Sequence, residues 1–242
     1  LPTLVENLFI GEGAGGGWVR AGNGLDNVLV GNNSDNNLTG NGGNDTLSGG
    51  GGNDRLVGGA GINHLVGGPG DDVYEIDADD IVYENVNAGI DTIRFDGSYD
   101  LLERLGTQIR GEVENLQLLG TGNHNGWGNN LNNYIEGNSG PNVLKGREGD
   151  DTLRGGPESL GGADAYDMLE GGGGNDVYYV GPGDVVQDSA GIDTVHVYTR
   201  AGQATMSDVT VTGVHEHPDF QSENFSRTLS VATYADTTFT YE

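Results

Sequence analysis

In two long stretches of this chain the apolar residues recur at one position in nine, a spacing that is neither helical nor that of an alternating strand. From Gly22 the units run without a gap: GNGLDNVLV, GNNSDNNLT, GNGGNDTLS, GGGGNDRLV, GGAGINHLV and GGPGDDVYE. They return at Gly128 as GNNLNNYIE, GNSGPNVLK and GREGDDTLR, then as GADAYDMLE from Gly162 and GGGGNDVYY from Gly171. Position eight is Leu29, Leu38, Leu47, Leu56, Leu65 and Tyr74, then Ile135, Leu144, Leu153, Leu169 and Tyr178. Six residues of Gly-rich turn followed by three of strand fit this pattern, because Gly tolerates the positive φ and close approach that a tight turn needs. Only the central side chain of so short a strand faces inward. Two units then make one coil of 18 residues, and unit n stacks on unit n+2.

A longer repeat contains the short one. VENLFIG at Val5–Gly11 matches VENLQLLG at Val113–Gly120, and each precedes a Gly-rich stretch with one Trp, Trp18 or Trp127. Each nonapeptide run closes with a related segment, DDIVYENVNAGIDTI or GDVVQDSAGIDTV. The expected organisation is therefore a first superunit over 1–111 with nonapeptides at 22–75, and a second over 112–199 with nonapeptides at 128–179. Gly155–Gly161 is an insertion, read as a bulging loop, and a short helix is expected in the middle of Asp96–Gly111. Residues 200–242 lose the repeat and alternate like strands, as a β-rich tail or cap.

Composition sharpens this picture. Gly accounts for 46 of 242 residues and the apolar fraction is 34%, values that ordinarily accompany disorder; the periodicity overrides them. With 10 Lys and Arg against 37 Asp and Glu, the net charge of −27 argues against nucleic acid or an anionic membrane as partner. There is no Cys, so neither disulfides nor thiolate metal sites hold the fold. No apolar run is long enough for a membrane span.

One apolar side chain per strand makes a thin core, and something else is needed to hold the coils. Gly turns aim carbonyl oxygens inward, and position six adds carboxylates. Such an all-oxygen set suits Ca²⁺, which takes roughly 6–8 oxygen ligands, and excludes zinc or copper chemistry. Position six reads Asn27, Asn36, Asp45, Asp54, Asn63 and Asp72, then Asn133, Asn142, Asp151, Asp167 and Asp176. The candidate ligands are Asp45, Asp54, Asp72, Asp151, Asp167 and Asp176, and Asn63 as a neutral oxygen ligand stacked beside Asp45. Asp54 stacks with Asp72, and Asp151 stacks toward Asp176 or Asp167, depending on where the insertion is absorbed. Coils at Asn27, Asn36, Asn133 and Asn142 are expected to bind weakly or to be held by Asn ladders.

GNGGNDTLS and GGGGNDRLV resemble the RTX, or haemolysin-type calcium-binding, repeat G-G-x-G-x-D-x-U-x. The resemblance is strong over Gly22–Glu75 and Gly128–Tyr179, extends as the longer superunit over Val5–Thr199, and does not reach Arg200–Glu242. It implies an all-β, right-handed parallel β-roll. It also implies type I secretion from a Gram-negative bacterium, with a chain unfolded in cytosolic calcium that folds outside. The Asn substitutions and the insertion depart from the pattern and imply fewer full sites than repeats.

Weak extracellular-type sites, a single Lys and the absence of Cys agree with an extracellular or cell-surface location. The chain starts LPTLVENL without Met and is expected to be a piece of something longer, with Thr228–Glu242 serving as secretion signal or as cap. No G-x-S-x-G or H-E-x-x-H is present, so no catalytic role is expected here. His215-Glu216-His217-Pro218-Asp219 reads as an exposed loop before it reads as a metal site, and His64 as an outward side chain. Asp71-Asp72 and Asp79-Asp80 read as turn residues or calcium ligands rather than as acid and base for a sugar. Trp18 and Trp127 read as capping or core residues before sugar platforms.

The leading expectation is a calcium-folded structural or interaction module of a secreted protein, of surface, matrix or adhesin type. The alternative is an accessory module of an extracellular polysaccharide-acting enzyme whose catalytic domain lies elsewhere. An ice-binding face would need a regular Thr array, and Thr39, Thr46 and Thr152 are too sparse. Self-association through roll ends is expected to be feasible, since open sheet edges present unpaired groups.

Overall fold

The computed structural model describes residues 2, 4–11, 18–85, 88–102, 109–156, 166–181, 183–197, 209–213, 225–229 and 237–240. Among them there is no helix; the segment expected to be helical, 103–108, lies outside the described residues, as does 157–161 of the insertion. The chain forms two compact units, one of Leu1–Phe95 with Leu101–Asn115 and one of Asp96–Asp100 with Leu116–Glu242.

The first unit is a parallel β-solenoid with two sheets. One sheet pairs Asn7–Phe9, Val28–Val30, Thr46–Ser48, His64–Val66, Ile81–Tyr83 and Ile109–Arg110 in that order, all parallel. The other pairs Trp18–Ala21, Asn36–Gly42, Arg55–Ala60, Val73–Ile76 and Thr92–Phe95. Leu29 faces Leu47 and Leu47 faces Leu65, eighteen residues apart each time, as two nonapeptides per coil require. The coil continues past the last nonapeptide: Leu65 faces Val82 after seventeen residues, and Tyr74 faces Ile93 after nineteen. The core is two columns of fully buried side chains, Leu29, Leu47, Leu65 and Val82 against Leu38, Leu56, Tyr74 and Ile93. Burying each such side chain contributes about 1.5–3 kcal/mol.

The second unit repeats the arrangement. Tyr134–Glu136, Thr152–Arg154, Val177–Val180 and Thr194–Val197 pair in one sheet. Tyr99–Asp100, Gly126–Trp127, Val143–Glu148, Met168–Gly173, Val185–Asp188 and Val209–Gly213 pair in the other. The insertion shows as a change of step: Leu144 faces Leu169 and Leu153 faces Tyr178, twenty-five residues apart instead of eighteen. Seven extra residues are thus absorbed between Thr152–Arg154 and Met168–Gly173, and the core columns continue across them. Two tail strands pair antiparallel, Phe225–Leu229 with Val209–Gly213 and Thr237–Thr240 with Thr194–Val197.

Gly126 faces inward between Tyr99 and Leu144 of its column, where a Cβ would meet Leu116, Ile135 and Leu144 at 3.1–3.3 Å. Trp127 beside it is half-buried on the outward side, so the core role expected for it falls to its neighbours. The side chain of Trp18 lies outside the described residues.

Candidate metal centres

Position six builds ladders that the two-residue strand period makes possible, because it faces inward with position eight. In the first unit the backbone N–H of Asn36 donates to Asp54 Oδ1 (2.6 Å), that of Asp54 to Asp72 Oδ1 (2.7 Å) and that of Asp72 to Asp91 Oδ1 (2.9 Å). A second ladder runs from Asn27 to Asp45, Asn63 and Asp80, at 2.7, 2.8 and 2.9 Å. In the second unit Asn133 N–H donates to Asp151, Asp151 to Asp176 and Asp176 to Asp193, at 2.7, 2.8 and 2.9 Å. Asn142 donates to Asp167 and Asp167 to Asp184. Asp151 therefore stacks on Asp176, because the insertion falls after Thr152–Arg154.

The ladder satisfies one carboxylate oxygen and leaves the other. Oδ2 of Asp45, Asp54, Asp72, Asp151 and Asp176 is buried without a hydrogen-bond partner. A buried acceptor left so costs about 1–3 kcal/mol, and more when it is charged. A Cβ built on Gly40 would overlap Asp45 Oδ2 and lie 2.5 Å from the Gly58 carbonyl oxygen; one built on Gly146 would overlap Asp151 Oδ2 and lie 2.7 Å from Gly171 O. At both glycines, position one of the unit, a carboxylate oxygen and the carbonyl of the next coil converge on one point. That donor set is all oxygen and carries negative charge, which is what a hard divalent cation takes. Ca²⁺ would be held there by Asp45 and Asp151 together with glycine carbonyls, and Asp54, Asp72 and Asp176 offer the same free oxygen.

Electrostatics points the same way. Burial is the main cause that raises Asp54 and Asp176 to about 6, and Asp72 and Asp151 to about 7, from an ordinary 3.8. Hydrogen bonds from ladder N–H groups oppose the rise, and neighbouring carboxylates add to it: Asp35 beside Asp54, and Asp176 and Asp150 beside Asp151. Asp45 is also shifted upward by burial. Without a cation these carboxylates repel one another inside the fold.

The asparagine coils are built differently. Asn36 Oδ1 accepts from Asn32 N–H (2.9 Å), and Asn36 Nδ2 donates back to Asn32 Oδ1 (3.3 Å). Asn142 does the same with Asn138, and Asn133 with Asn129. The carbonyl of Gly22 accepts from Asn41 Nδ2, and that of Gly128 from the Arg147 guanidinium, which also pairs with Asp100 at 2.7 and 2.9 Å. The first coil of each run is thus held by amides or by an internal cation.

Asn63 donates through Nδ2 to Gly59 O (3.1 Å) and Asp80 Oδ1 (2.8 Å), so it bridges two coils. Asp167 is 7% exposed, and a Cβ on Gly155 would overlap its Oδ2. The consecutive carboxylates are not pairs: Asp72 and Asp80 are buried, whereas Asp71 and Asp79 are exposed. His64 is exposed against the Tyr83 ring. The 215–219 cluster lies outside the described residues.

Six further acidic residues fall outside the nonapeptide runs: Asp80, Glu84, Asp91, Asp184 and Asp193 are buried, and Asp188 is half-buried. The signal available was the triplet of Asp, any residue and a β-branched apolar residue, in Asp80-Ile81-Val82, Asp91-Thr92-Ile93, Asp184-Val185-Val186 and Asp193-Thr194-Val195.

A family model for the RTX calcium-binding nonapeptide repeat matches the chain in four copies, at residues 21–56, 48–80, 127–158 and 161–186. No curated protein matches the chain. Repeats of this kind bind Ca²⁺, and their four copies cover the turns that carry the unpartnered aspartate oxygens.

Proposed function

We infer that this RTX-repeat protein is a structural or interaction module of a secreted protein, held unfolded at cytosolic calcium and folded by calcium outside the cell. The observation that carries the reading is the set of five buried, unpartnered aspartate oxygens, each on a nine-residue unit that buries one apolar side chain beside it. A net charge of −27 adds self-repulsion that bound cations relieve. Sites of this extracellular type fill at about 10⁻⁴–10⁻³ M calcium, a concentration found outside cells and not in the cytosol. Passage through a type I exporter of a Gram-negative bacterium suits a chain that folds only on arrival, and the role there is that of a surface, matrix or adhesive scaffold. No helix among the described residues is long and apolar enough to cross a membrane. The chemistry of the module is ion binding, and no reaction is assigned to it.

Size-exclusion chromatography with light scattering tests the switch. In excess EDTA the chain should expand toward the roughly 50 Å radius of gyration of an unfolded chain of this length, and it should contract on adding calcium. An equally compact chain in both buffers would contradict the reading. A pull-down on acidic and neutral polysaccharides from the calcium-loaded state separates a scaffold from a carbohydrate-directed accessory module.

A further inference from the structure

The two nonapeptide runs end in the same unusual way. In the last unit of each, Tyr replaces Leu at position eight, and its phenol reaches the turn. Tyr74 Oη accepts from Gly67 N–H (2.7 Å) and donates to Glu84 Oε1 (2.6 Å); Tyr178 Oη accepts from Gly171 N–H (2.9 Å) and donates to Asp188 Oδ1 (3.0 Å). Val66 faces Tyr83 and Glu170 faces Gln187, so the residues that follow, Glu84 and Asp188, fall opposite Gly67 and Gly171. A carboxylate thus stands in the column where each earlier coil has a glycine. From the other side come Asp91, which accepts from Asp72 N–H, and Asp193, which accepts from Asp176 N–H, both at 2.9 Å.

Asp72, Glu84 and Asp91 each offer one oxygen within 4.8 Å of the others, and so do Asp176, Asp188 and Asp193. A separate observation points into each triad. Asp72 and Asp176, 0% and 1% exposed, keep Oδ2 buried without a partner. A Cβ on Gly67 would overlap both Asp72 Oδ2 and Tyr74 Oη, and one on Gly171 both Asp176 Oδ2 and Tyr178 Oη. The unpartnered oxygen is therefore aimed at the phenol and the carboxylate that the phenol holds.

We propose that each triad is a calcium site of a second type, made of three side-chain carboxylates under a tyrosine hydroxyl, and that these two sites fill before the turn-carbonyl sites. The proposal deepens the calcium reading and rests on it for the ion. Four of the six carboxylates lie beyond the repeat: the family matches end at residues 80 and 186, short of Glu84, Asp91, Asp188 and Asp193. The order of filling follows from charge, since calcium affinity rises with the number of carboxylates and the rigidity of the site. Three carboxylates anchored by ladder N–H groups and a buried phenol exceed one or two carboxylates helped by neutral carbonyls. The fold would then grow from the end of each run toward its asparagine start.

Terbium titration of the full chain, with excitation of tyrosine, tests this directly. The first ions bound should give tyrosine-sensitised emission that calcium removes by competition. The Tyr74→Phe/Tyr178→Phe variant should lose that early emission and still fold in calcium by circular dichroism. The Glu84→Gln/Asp188→Asn variant should bind one calcium fewer per triad in equilibrium dialysis. Early emission that persists in the phenylalanine variant, or an unchanged calcium count in the amide variant, would overturn the proposal while the chain still folds with calcium. A chain that binds no calcium at all would overturn both this proposal and the reading beneath it. Emission in the unchanged chain that appears only after folding is complete would refute the order of filling, whatever the variants do.

Discussion

At the residue scale the account turns on the second oxygen of each position-six aspartate. Asp54 places Oδ1 on the Asn36 N–H and leaves Oδ2 buried alone, whereas Asn36 closes both its polar atoms on Asn32. Asp54→Asn keeps the ladder acceptor and removes the ligand charge. It should weaken the affected calcium site roughly tenfold or more in calorimetric titration, about 1.4 kcal/mol, and Asn36→Ala should leave the number of bound ions unchanged. Equal loss of ions from both would contradict the assignment. The same oxygens set a pH dependence. In the calcium-free fold burial holds Asp54 and Asp176 at about 6 and Asp72 and Asp151 at about 7, against an ordinary 3.8. A raised folded-state pKa means that the folded form takes up protons more readily than the unfolded one. The stability linked to these groups is complete below about pH 4 and is lost as pH climbs through about 6 to 7. In EDTA the β signal by circular dichroism should therefore be greater at about pH 5 than at about pH 8. With calcium the order should reverse, because protons and calcium compete for one set of oxygens; equal β signal at the two pH values in EDTA would contradict it. Asp45, Asp54, Asp72, Asp151 and Asp176 were legible in the sequence because a glycine turn announces each of them. Glu84 and Asp188 were not, since their place in the glycine column exists only once the coil has closed.

At the element scale the nonapeptide is a turn and one rung. The rung is specified by its single inward residue: Leu29, Leu47 and Leu65 stand in register because equal spacing forces them to. The turn is specified by a glycine that tolerates no side chain. Gly40→Ala should cost about 1–3 kcal/mol by overpacking and should raise the calcium midpoint of folding, since its Cβ would overlap Asp45 Oδ2. Gly24→Ala, with nothing within 4 Å of the added atom, should stay near the unchanged chain. A midpoint that moves equally in both would contradict the cradle. Outside the turns, position-five side chains add a second ladder that the repeat did not advertise. Asp35 Oδ1 accepts from Asn53 N–H, Asn53 Oδ1 from Asp71 N–H and Asp71 Oδ1 from Ile90 N–H. It stops at Ile90, as the corresponding ladder of the second unit stops at Ile192, because neither side chain carries an acceptor. The rungs at Ile81–Tyr83, Thr92–Phe95, Val185–Asp188 and Thr194–Val197 escaped the nonapeptide pattern for a related reason. They step by seventeen or nineteen residues instead of eighteen, so the nine-residue spacing no longer marks them.

At the scale of the whole molecule, folding sets a thin core and backbone ladders against the ordering of a chain that is rich in Gly and carries a net charge of −27. The asparagine starts of the runs satisfy themselves; the aspartate coils and the carboxylate triads do not. Cations that bind only the folded coils shift the equilibrium by mass action, about 2.7 kcal/mol per independent site at a hundredfold excess over its Kd. A few sites are enough to switch a marginal chain. The most direct test is a calcium titration of the full chain followed by far-UV circular dichroism, with magnesium as control. Magnesium is the discriminating ion because it demands a tighter octahedral shell and gives up its water reluctantly. The account predicts a cooperative gain of β signal at about 0.1–1 mM Ca²⁺ that magnesium does not reproduce. A full β spectrum in excess EDTA at neutral pH would contradict it, and would mean that amide ladders and packing hold these coils without an ion.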